Sequence, residues 1–219
     1  MALQSLNTEI LICRRCPRLV EWRERVAREK RCAYRDREYW GRPVPGFGDP
    51  QARVFVVGLA PGAHGSNRTG RQFTGDASGD FLYSALYRAG FASQPTSVSR
   101  DDGLTLIDLH TAPVCRCAPP DNKPTPQEMA NCRPYLEREI EIIQPKIFVA
   151  LGRIAFDVMK SILHAPAAVS FSLGALYSLD VNLWLLASYH PSRQNTQTGR
   201  LTVEMFDQIW RAARKLLER

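Results

Sequence analysis

A glycine-rich segment that follows a short apolar run carries the first chemical signal of this 219-residue chain. Residues 54–57 read Val-Phe-Val-Val, which is typical of a strand buried on both faces. Gly58 ends the run, and a helical pattern resumes near Ala77 after a loop that contains Gly62, Gly65, Gly70 and Gly75. Such a loop presents backbone N–H groups and a helix N-terminus to an anionic or polar ligand. Neither standard nucleotide-binding glycine motif is present, and a surface loop without a ligand is the alternative.

A histidine-containing segment near the C-terminus is the second candidate. Residues 183–189 predict a strand, and the loop after it reads His190-Pro-Ser-Arg-Gln-Asn-Thr-Gln-Thr-Gly. In open parallel sheets, ligands bind beyond the carboxyl ends of the strands, so the loop after Gly58 and the loop from His190 can face each other. His190 is therefore the candidate hydrogen-bond donor, and the weaker candidates are His64, His110 and His164.

Six cysteines form a third candidate site. Cys13 and Cys16 have the C-x2-C spacing, and fourteen residues with four prolines separate Cys117 from Cys132. In a cytosolic chain such cysteines point to metal binding or catalysis before disulfides. Four thiolates are the ligand set of soft metals and iron–sulfur clusters. Alternate residues of an extended segment face the same side, so Cys115 or Cys117 could supply the fourth ligand. Scattered buried thiols are the alternative.

Composition limits the class of protein. The net charge of +7 and the pI near 9.3 favour a polyanionic partner. Residues 1–42 carry 11 Lys and Arg against 6 Asp and Glu, and they predict a basic helical arm on a single domain over residues 1–219. Neither an apolar run of about 18 residues nor a leader peptide is recognisable. We therefore expect a cytoplasmic protein without a membrane partner. Because the sequence gives no sign of an oligomer, a monomer is expected.

Hydrophobic periodicity predicts helices that alternate with strands. Helices are expected over residues 3–12, 17–31, 77–89, 125–143, 153–163 and 201–217, and strands over 54–57, 104–109, 147–151 and 183–189. Thr125-Pro126 has the chemistry of an N-cap and a first helical residue. The alternation predicts an α/β fold with three α/β/α layers, in which helices cover both faces of a central, mostly parallel four-stranded sheet.

Five separated motifs resemble the uracil-DNA glycosylase superfamily. Its paired signature is matched by Gly58-Leu-Ala-Pro-Gly62 and His190-Pro-Ser192. Three further motifs resemble family 5 of that superfamily, the B-type enzymes. They are Gly70-Arg-Gln-Phe-Thr-Gly-Asp76, Cys117-Ala-Pro-Pro-Asp-Asn-Lys and the Cys13/Cys16 pair. The likeness runs from the first cysteine to the terminal helix.

The resemblance implies an activity and a cofactor. The activity is the removal of uracil, together with hypoxanthine and xanthine, from double- and single-stranded DNA by hydrolysis of the N-glycosidic bond. The cofactor is a [4Fe–4S] cluster that ties the basic arm to the domain. Its ligands are expected to be Cys13, Cys16, Cys117 and Cys132, with Cys115 in place of Cys117 as the alternative.

The chemistry of base excision assigns roles to the motif residues. Phe73 is the expected stacking platform for an everted base, with an ordinary core phenylalanine as the alternative. His190 is expected to donate a hydrogen bond to the oxygen of the departing base. Other families of the superfamily carry an Asp or a Glu in the motif where this chain has Leu59 and Ala60, which cannot accept or donate a proton. Any help from a carboxylate is therefore expected from Asp76, which could stabilise the sugar cation or orient water. The alternative is that Asp76 only caps a helix. The base pocket is expected to comprise Gly58, Leu59, Ala60, Gly62, Phe73 and His190.

DNA contacts are expected from both loops. Several sister families of this superfamily use an asparagine to read the edge of the uracil ring. That asparagine has no clear counterpart at residues 111–114 of this chain, so the resemblance implies a permissive base pocket. The arginines of residues 14–42 are expected to add non-specific affinity for the DNA backbone. The expected DNA-binding residues of the loops are Ser66, Thr69, Arg71, Ser192, Arg193, Gln194, Asn195 and Arg200. The rival hypotheses are an iron–sulfur redox protein, a damaged-DNA binder without glycosylase activity, and a nucleotide phosphohydrolase.

Overall fold

The apolar run at residues 54–57 lies at the centre of a six-stranded mixed sheet in the computed structural model, which describes residues 1–218. The strands are β1 (Phe47–Gly48), β2 (Val54–Gly58), β3 (Leu109–Pro113), β4 (Ile147–Leu151), β5 (Leu176–Asp180) and β6 (Leu183–Ser188). Their order is β1-β3-β2-β4-β6-β5. The inner four strands are parallel, and the edge strands β1 and β5 pair antiparallel with them. The last residue of the predicted single domain, Arg219, lies outside the described residues.

Helices cover both faces of this sheet. They are α1 (Ala2–Leu11), α2 (Pro17–Glu29), α3 (Ser66–Thr69), α4 (Ala77–Arg88), α5 (Pro126–Ile143), α6 (Arg153–Ile162), α7 (Arg193–Gln197) and α8 (Val203–Leu217). Successive side chains of a strand point to opposite faces. Val54 and Val56 accordingly pack with α4 and α8 in one core cluster, while Phe55 and Val57 pack with α5 and α6 in another. The three-layer α/β/α prediction is confirmed.

The predicted sheet of four strands is too small. The expected strand at residues 104–109 is wrong, because β3 begins only at Leu109 and runs to Pro113. The edge strands β1 and β5 were missed, since β1 has two residues and β5 alternates between exposed and half-buried side chains. The strands predicted at residues 54–57, 147–151 and 183–189 are confirmed, as are the six predicted helices, within two residues at their ends.

Strand β3 is hard to predict because it carries polar residues into the core. His110 and Thr111 are each 1% exposed. Glu139 on α5 accepts a hydrogen bond from Arg116 and lies 3.0 Å from His110 Nε2. Burial alone would raise the pKa of Glu139, but Arg116 and His110 together lower it. This buried network gives His110 a hydrogen-bond partner at an inner position of the sheet.

The N-terminal arm packs against the rest of the chain. Leu6 and Ile10 of α1 bury against Tyr135 of α5. After α2, the chain crosses the glycine-rich loop, where Trp40 N donates to Arg68 O at 2.9 Å. None of the helices within residues 1–218 has the length and apolar character of a membrane span.

Candidate active site

A cavity of about 600 Å³ lies at the carboxyl edge of the sheet. The loops that follow β2 and β6 form two of its walls, as expected for the ligand site of a parallel sheet. Its lining includes residues from the glycine-rich loop (Leu59, Ala60, Gly62, Ser66, Gln72, Phe73, Asp76), from the loop after β6 (His190, Ser192, Arg193, Gln194), from a turn after β3 (Asp121, Asn122) and from the N-terminal arm (Arg31, Tyr34). The structure therefore brings the two predicted motifs together.

Phe73 is held against the end of β2 in an unusual backbone conformation. Its φ angle is +50°, a left-handed region that few non-glycine residues adopt. A Cβ atom at Gly58 would lie 2.7 Å from Phe73 Cζ, so only glycine leaves room for the ring. The side chain is 7% exposed, and its ring centroid lies 6.0 Å from that of His190. Such strain is typical of functional sites, where the surrounding structure holds a residue in place.

His190 occupies a position just beyond the end of β6. Burial lowers the pKa of His190 to about 4, so the imidazole is neutral near pH 7. A neutral imidazole offers one N–H donor and one acceptor nitrogen. Asn195 Nδ2 donates to the backbone oxygen of His190 at 2.8 Å, which stabilises the loop that carries the imidazole. His190 is therefore suited to hydrogen-bond donation.

Asp76 has two oxygen atoms in different surroundings. Oδ1 accepts hydrogen bonds from Ser78 N at 3.0 Å and Gly79 N at 3.1 Å, the pattern of an N-cap on α4. Oδ2 packs against the glycine-rich loop, where a Cβ atom at Gly65 would clash with it. Burial raises the pKa of Asp76. The cap is thus present, and it uses only one oxygen of a carboxylate that lines the cavity.

Seven of the eight predicted DNA-binding residues fall into two groups. Ser66, Ser192, Arg193 and Gln194 line the cavity. The second group has protein partners: Thr69 Oγ1 donates to Gly65 O at 3.2 Å, Asn195 holds the loop of His190, and Arg200 stacks 4.4 Å over the Tyr189 ring. Asn195 and Arg200 line a neighbouring groove that also reaches His190.

The side chain of Arg71 is buried, so it does not form the predicted contact with a DNA phosphate. Its side chain is 3% exposed and belongs to a buried network. Nη2 donates to Asp102 Oδ2 and to Ser97 Oγ, each at 2.8 Å, and Nε donates to Thr74 Oγ1 at 3.0 Å. Arg71 therefore stabilises the glycine-rich loop from within, and its assignment to DNA binding is corrected.

Four residues of the cavity wall that lie outside the two motif loops were not assigned to the site from the sequence. Asp121 and Asn122 have φ angles of +53° and +56°, a left-handed pair in the turn after β3. Asp and Asn are the non-glycine side chains that tolerate this conformation best, which is a local signal that could have drawn attention to them. Arg31 and Tyr34 come from the N-terminal arm, and the sequence offers no local signal for this distant contact.

Four of the cysteines line a second, small cavity between α2, α5 and the segment after β3. They are Cys13, Cys16, Cys117 and Cys132. Cys115 is not part of that lining; it is fully buried, and a hydrogen bond from its thiol lowers the pKa of Cys132. Within the described chain, no three cysteine, histidine or acidic side chains stand in a ready metal-binding arrangement.

The surroundings of these cysteines nevertheless fit a thiolate-bound group. Arg116 lines the same cavity, is 1% exposed, and has two nitrogen atoms, Nε and Nη1, without hydrogen-bond partners among the described residues. Arg23 Nη1 donates to Cys117 Sγ at 2.8 Å, and Asn131 Nδ2 donates to Cys16 Sγ at 3.4 Å. Burial raises the pKa of Cys16 and Cys117, and the hydrogen bonds from Asn131 and Arg23 act in the opposite direction, toward the thiolate form that binds metal.

Comparison with known proteins agrees with this geometry. A model of the uracil DNA glycosylase superfamily matches residues 45–214, which contain all the inner strands and most of the loops around the larger cavity. The chain belongs to the uracil DNA glycosylase superfamily.

Relatives within that superfamily carry the name type-5 uracil-DNA glycosylase. The protein from Thermus thermophilus is 54% identical over 218 residues, which cover 99% of each chain. The protein from Mycobacterium leprae is 50% identical over 220 residues, covering 98% of this chain and 96% of the relative. The protein from Pyrobaculum aerophilum is 48% identical over 201 residues, covering 92% of this chain and 87% of the relative.

Proposed function

We propose that the protein is a monofunctional uracil-DNA glycosylase that hydrolyses the N-glycosidic bond of uracil in DNA and leaves an abasic site for base excision repair. The single observation that carries this proposal is the approach of Phe73 and His190 over one cavity, with ring centroids 6.0 Å apart. The type-5 relatives support it along nearly the whole chain. They give no support to a redox protein or to a binder without activity.

The base must leave the duplex before it can react. An enzyme that acts on a base extrudes the nucleotide into a pocket, and a cavity of about 600 Å³ has room for one. Phe73 supplies the aromatic face, and stacking on such a face is worth about 1–3 kcal/mol per base. Gly58, Leu59, Ala60 and Gly62 complete the proposed base pocket.

Bond cleavage places negative charge on the departing base. His190 donates a hydrogen bond from its neutral imidazole to the uracil O2 as that charge develops. A fixed donor aimed at developing charge contributes about 2.7–4 kcal/mol to lowering a barrier. Because its low pKa keeps the ring neutral near pH 7, His190 acts as a donor and not as a cation.

The sugar side of the bond is assigned to the carboxylate of Asp76. Leu59 and Ala60 carry no group that takes a proton, so Asp76 Oδ2 stabilises the oxocarbenium-like sugar or orients the attacking water. Oδ1 meanwhile keeps the N-cap of α4. Asn122, on its left-handed turn, adds an amide side chain to the wall of the same cavity.

Hypoxanthine and xanthine are proposed as further substrates, because residues 111–114 have no clear counterpart of the asparagine with which sister families read uracil. Both double- and single-stranded DNA are accepted, and the enzyme acts as a monomer. Side chains around the cavity hold the backbone of the flipped nucleotide. These contacts come from Ser66, Thr69, Ser192, Arg193 and Arg200, while Gln194 and Asn195 enter the minor groove and fill the stack that the base vacates.

A [4Fe–4S] cluster held by Cys13, Cys16, Cys117 and Cys132 is the proposed cofactor. When bound, it supplies a covalent connection between the basic arm of residues 1–42, the segment after β3 and α5. Brown colour with absorption in the blue would distinguish it from colourless zinc. The reaction itself is carried by residues of the larger cavity.

The decisive test is excision from an oligonucleotide that contains one uracil, followed by alkaline cleavage at abasic sites. We expect strand cleavage that depends on both uracil and alkali. An oligonucleotide with thymine at the same position is the matched control. Binding to the uracil strand without cleavage would instead support the non-catalytic binder.

A further inference from the structure

Arg23 on α2 is a buried cation that the proposed reaction does not use. It is 2% exposed, and its Nη1 atom donates to Cys117 Sγ at 2.8 Å. Its Nη2 atom makes a longer contact of 3.4 Å with Cys13 O, and its Nε atom has no hydrogen-bond partner among the described residues. An arginine stays protonated in proteins, and a buried charge is costly unless an anion faces it.

The carboxylates near Arg23 compensate its charge poorly. In the part of the chain that the structure describes, the ion-pair partner of Arg23 is Glu24, at 3.8 Å. Glu24 is one-third exposed and already accepts a hydrogen bond from Arg14 at 2.6 Å. Arg116, the second buried arginine beside the cysteines, has the buried carboxylate of Glu139 instead. Arg23 is therefore the less compensated of the two buried arginines beside the cysteines.

The sulfur atoms are the remaining candidates for the anion. Arg23 reaches two of the segments that carry the cysteines of the small cavity. Four thiolates around an iron–sulfur core carry a net negative charge. Hydrogen bonds to such sulfur atoms and nearby charges set the reduction potential of a cluster and contribute to its retention.

We infer that Arg23 is the positioning residue and counter-charge of the four-cysteine site: its guanidinium orients Cys117 and offsets the negative charge of the thiolate-bound cluster. This inference rests on the proposed cofactor and not on uracil excision. Removing the charge disfavours the more negative, reduced cluster, so the potential falls. It also removes a donor from Cys117, so the cluster is lost more readily.

The test compares the full-length protein with Arg23→Met, Arg23→Lys and Arg28→Met. Arg28 is an exposed residue of the same helix, so its variant makes the same change of charge away from sulfur. Iron and sulfide content, loss of visible absorbance in air, and the midpoint potential of one-electron reduction by dithionite are measured, with circular dichroism as the check on folding. We expect a lower potential and faster bleaching in Arg23→Met, an intermediate result in Arg23→Lys, and native behaviour in Arg28→Met.

Each outcome decides for or against the inference. A folded Arg23→Met protein that takes up no iron, while Arg28→Met does, supports it. Native iron content, bleaching rate and potential in Arg23→Met overturn it, and Arg23→Gln, which also removes the charge, provides the same comparison if the methionine variant does not fold. Should the native protein hold zinc, retention against a chelator replaces the potential, and equal retention overturns the inference. Uracil excision by the native protein is measured separately, so a failure of the proposed function is distinguishable from this result.

Discussion

The rings of Phe73 and His190 lie 6.0 Å apart, centroid to centroid, with an angle of 34° between their planes. The two residues follow different parallel strands, and the sheet brings their loops to the same edge. The ring of Phe73 rests against Gly58, while Asn195 stabilises the loop that carries His190. An everted base in this cavity would therefore meet two side chains that are held in place before it arrives, which lowers the cost of ordering them during the reaction.

Gly58→Ala tests the support of the aromatic platform. The new Cβ atom would lie 2.7 Å from Phe73 Cζ, so the ring must move. We expect kcat/KM for uracil excision to fall roughly tenfold or more, which is the size of a lost stacking contact of about 1–3 kcal/mol. Single-turnover excision and circular dichroism are measured together, so that loss of folding is recognised.

Two further variants separate the position of the ring from its chemistry. Phe73→Leu keeps Gly58 and an apolar side chain but removes the aromatic face, so it should lower excision as well. Phe81→Leu is the control, because Phe81 packs on Phe206 in the core cluster of α4 and α8. Native excision by both Gly58→Ala and Phe73→Leu would show that the platform role is wrong.

The pH dependence tests the protonation state of His190. Burial lowers its pKa from 6.5 to about 4, so the fraction of neutral imidazole is nearly constant between about pH 6 and pH 8. We expect His190→Asn to lower single-turnover excision by roughly 100-fold or more. The ratio of native to variant rates should stay level across this range, which cancels the titration of other groups. If His190 acted as a cation, the ratio would fall as the pH rises through about 6.5.

The same shift predicts a stability effect. The unfolded chain binds the proton of His190 below about pH 6.5, whereas the folded chain binds it only near pH 4. Stability therefore rises with pH through this window, is fully present above it, and declines as the pH falls toward 4. Denaturant unfolding of the native protein and His190→Asn at about pH 7 and about pH 5 should show a smaller loss in the variant.

Strands β2 and β4 were predictable because their signal is local. The runs at residues 54–57 and 147–151 are continuous, apolar and ended by glycine, so burial on both faces follows from the residues themselves. Strand β3 was placed wrongly because His110 and Thr111 are polar. The burial of His110 depends in part on Glu139, which lies on α5 and is remote in sequence. A partner of this kind cannot be found from periodicity.

The candidate site shows the same limit. The sequence was enough to predict that the loops of Gly58 and His190 face each other. Both loops follow predicted parallel strands, and the carboxyl ends of such strands lie at the same edge of the sheet. Arg71 could not be excluded from DNA binding, because Asp102 and Ser97 bury its guanidinium from a separate loop. The arginines of the N-terminal arm were likewise expected to give only non-specific affinity, and the place of Arg31 in the cavity wall depends on how the arm crosses the glycine-rich loop.

Asp76 offers a test that separates its cap from its charge. In Asp76→Asn, the amide oxygen can still accept hydrogen bonds from Ser78 N and Gly79 N, so the cap of α4 is retained while the negative charge is lost. We expect nearly native stability and a large loss of excision. Asp76→Ala loses both, so its unfolding free energy should fall by about 0.5–2 kcal/mol in addition.

The control for Asp76 is a neighbouring carboxylate. Asp80 lies in the first turn of α4, so Asp80→Asn removes a charge from the same helix end without touching the cap. Denaturant unfolding and single-turnover excision are measured on all three variants. Equal excision by Asp76→Asn and the native protein would leave Asp76 with a capping role only.

Arg193 provides the test of DNA backbone contact. It lies in the first turn of α7 and lines the cavity together with His190, so its cation is placed to meet a phosphate of the flipped nucleotide. Each phosphate contact that is lost should reduce the slope of log K against log salt by about 1. Arg193→Ala should therefore bind DNA more weakly and with a smaller salt slope, as measured by fluorescence anisotropy between about 50 and 200 mM salt.

The matched control removes the same charge at a distance from the cavity. Arg211 on α8 is exposed and pairs with Glu204 at 3.2 Å, so Arg211→Ala changes the net charge equally. If binding depended only on net charge, both variants would lose affinity to the same extent and have the same slope. A contact at Arg193 instead predicts a selective loss there. Because a phosphate contact carries no base information, the loss should be similar for uracil and thymine oligonucleotides, whereas a loss confined to uracil would assign Arg193 to the base pocket.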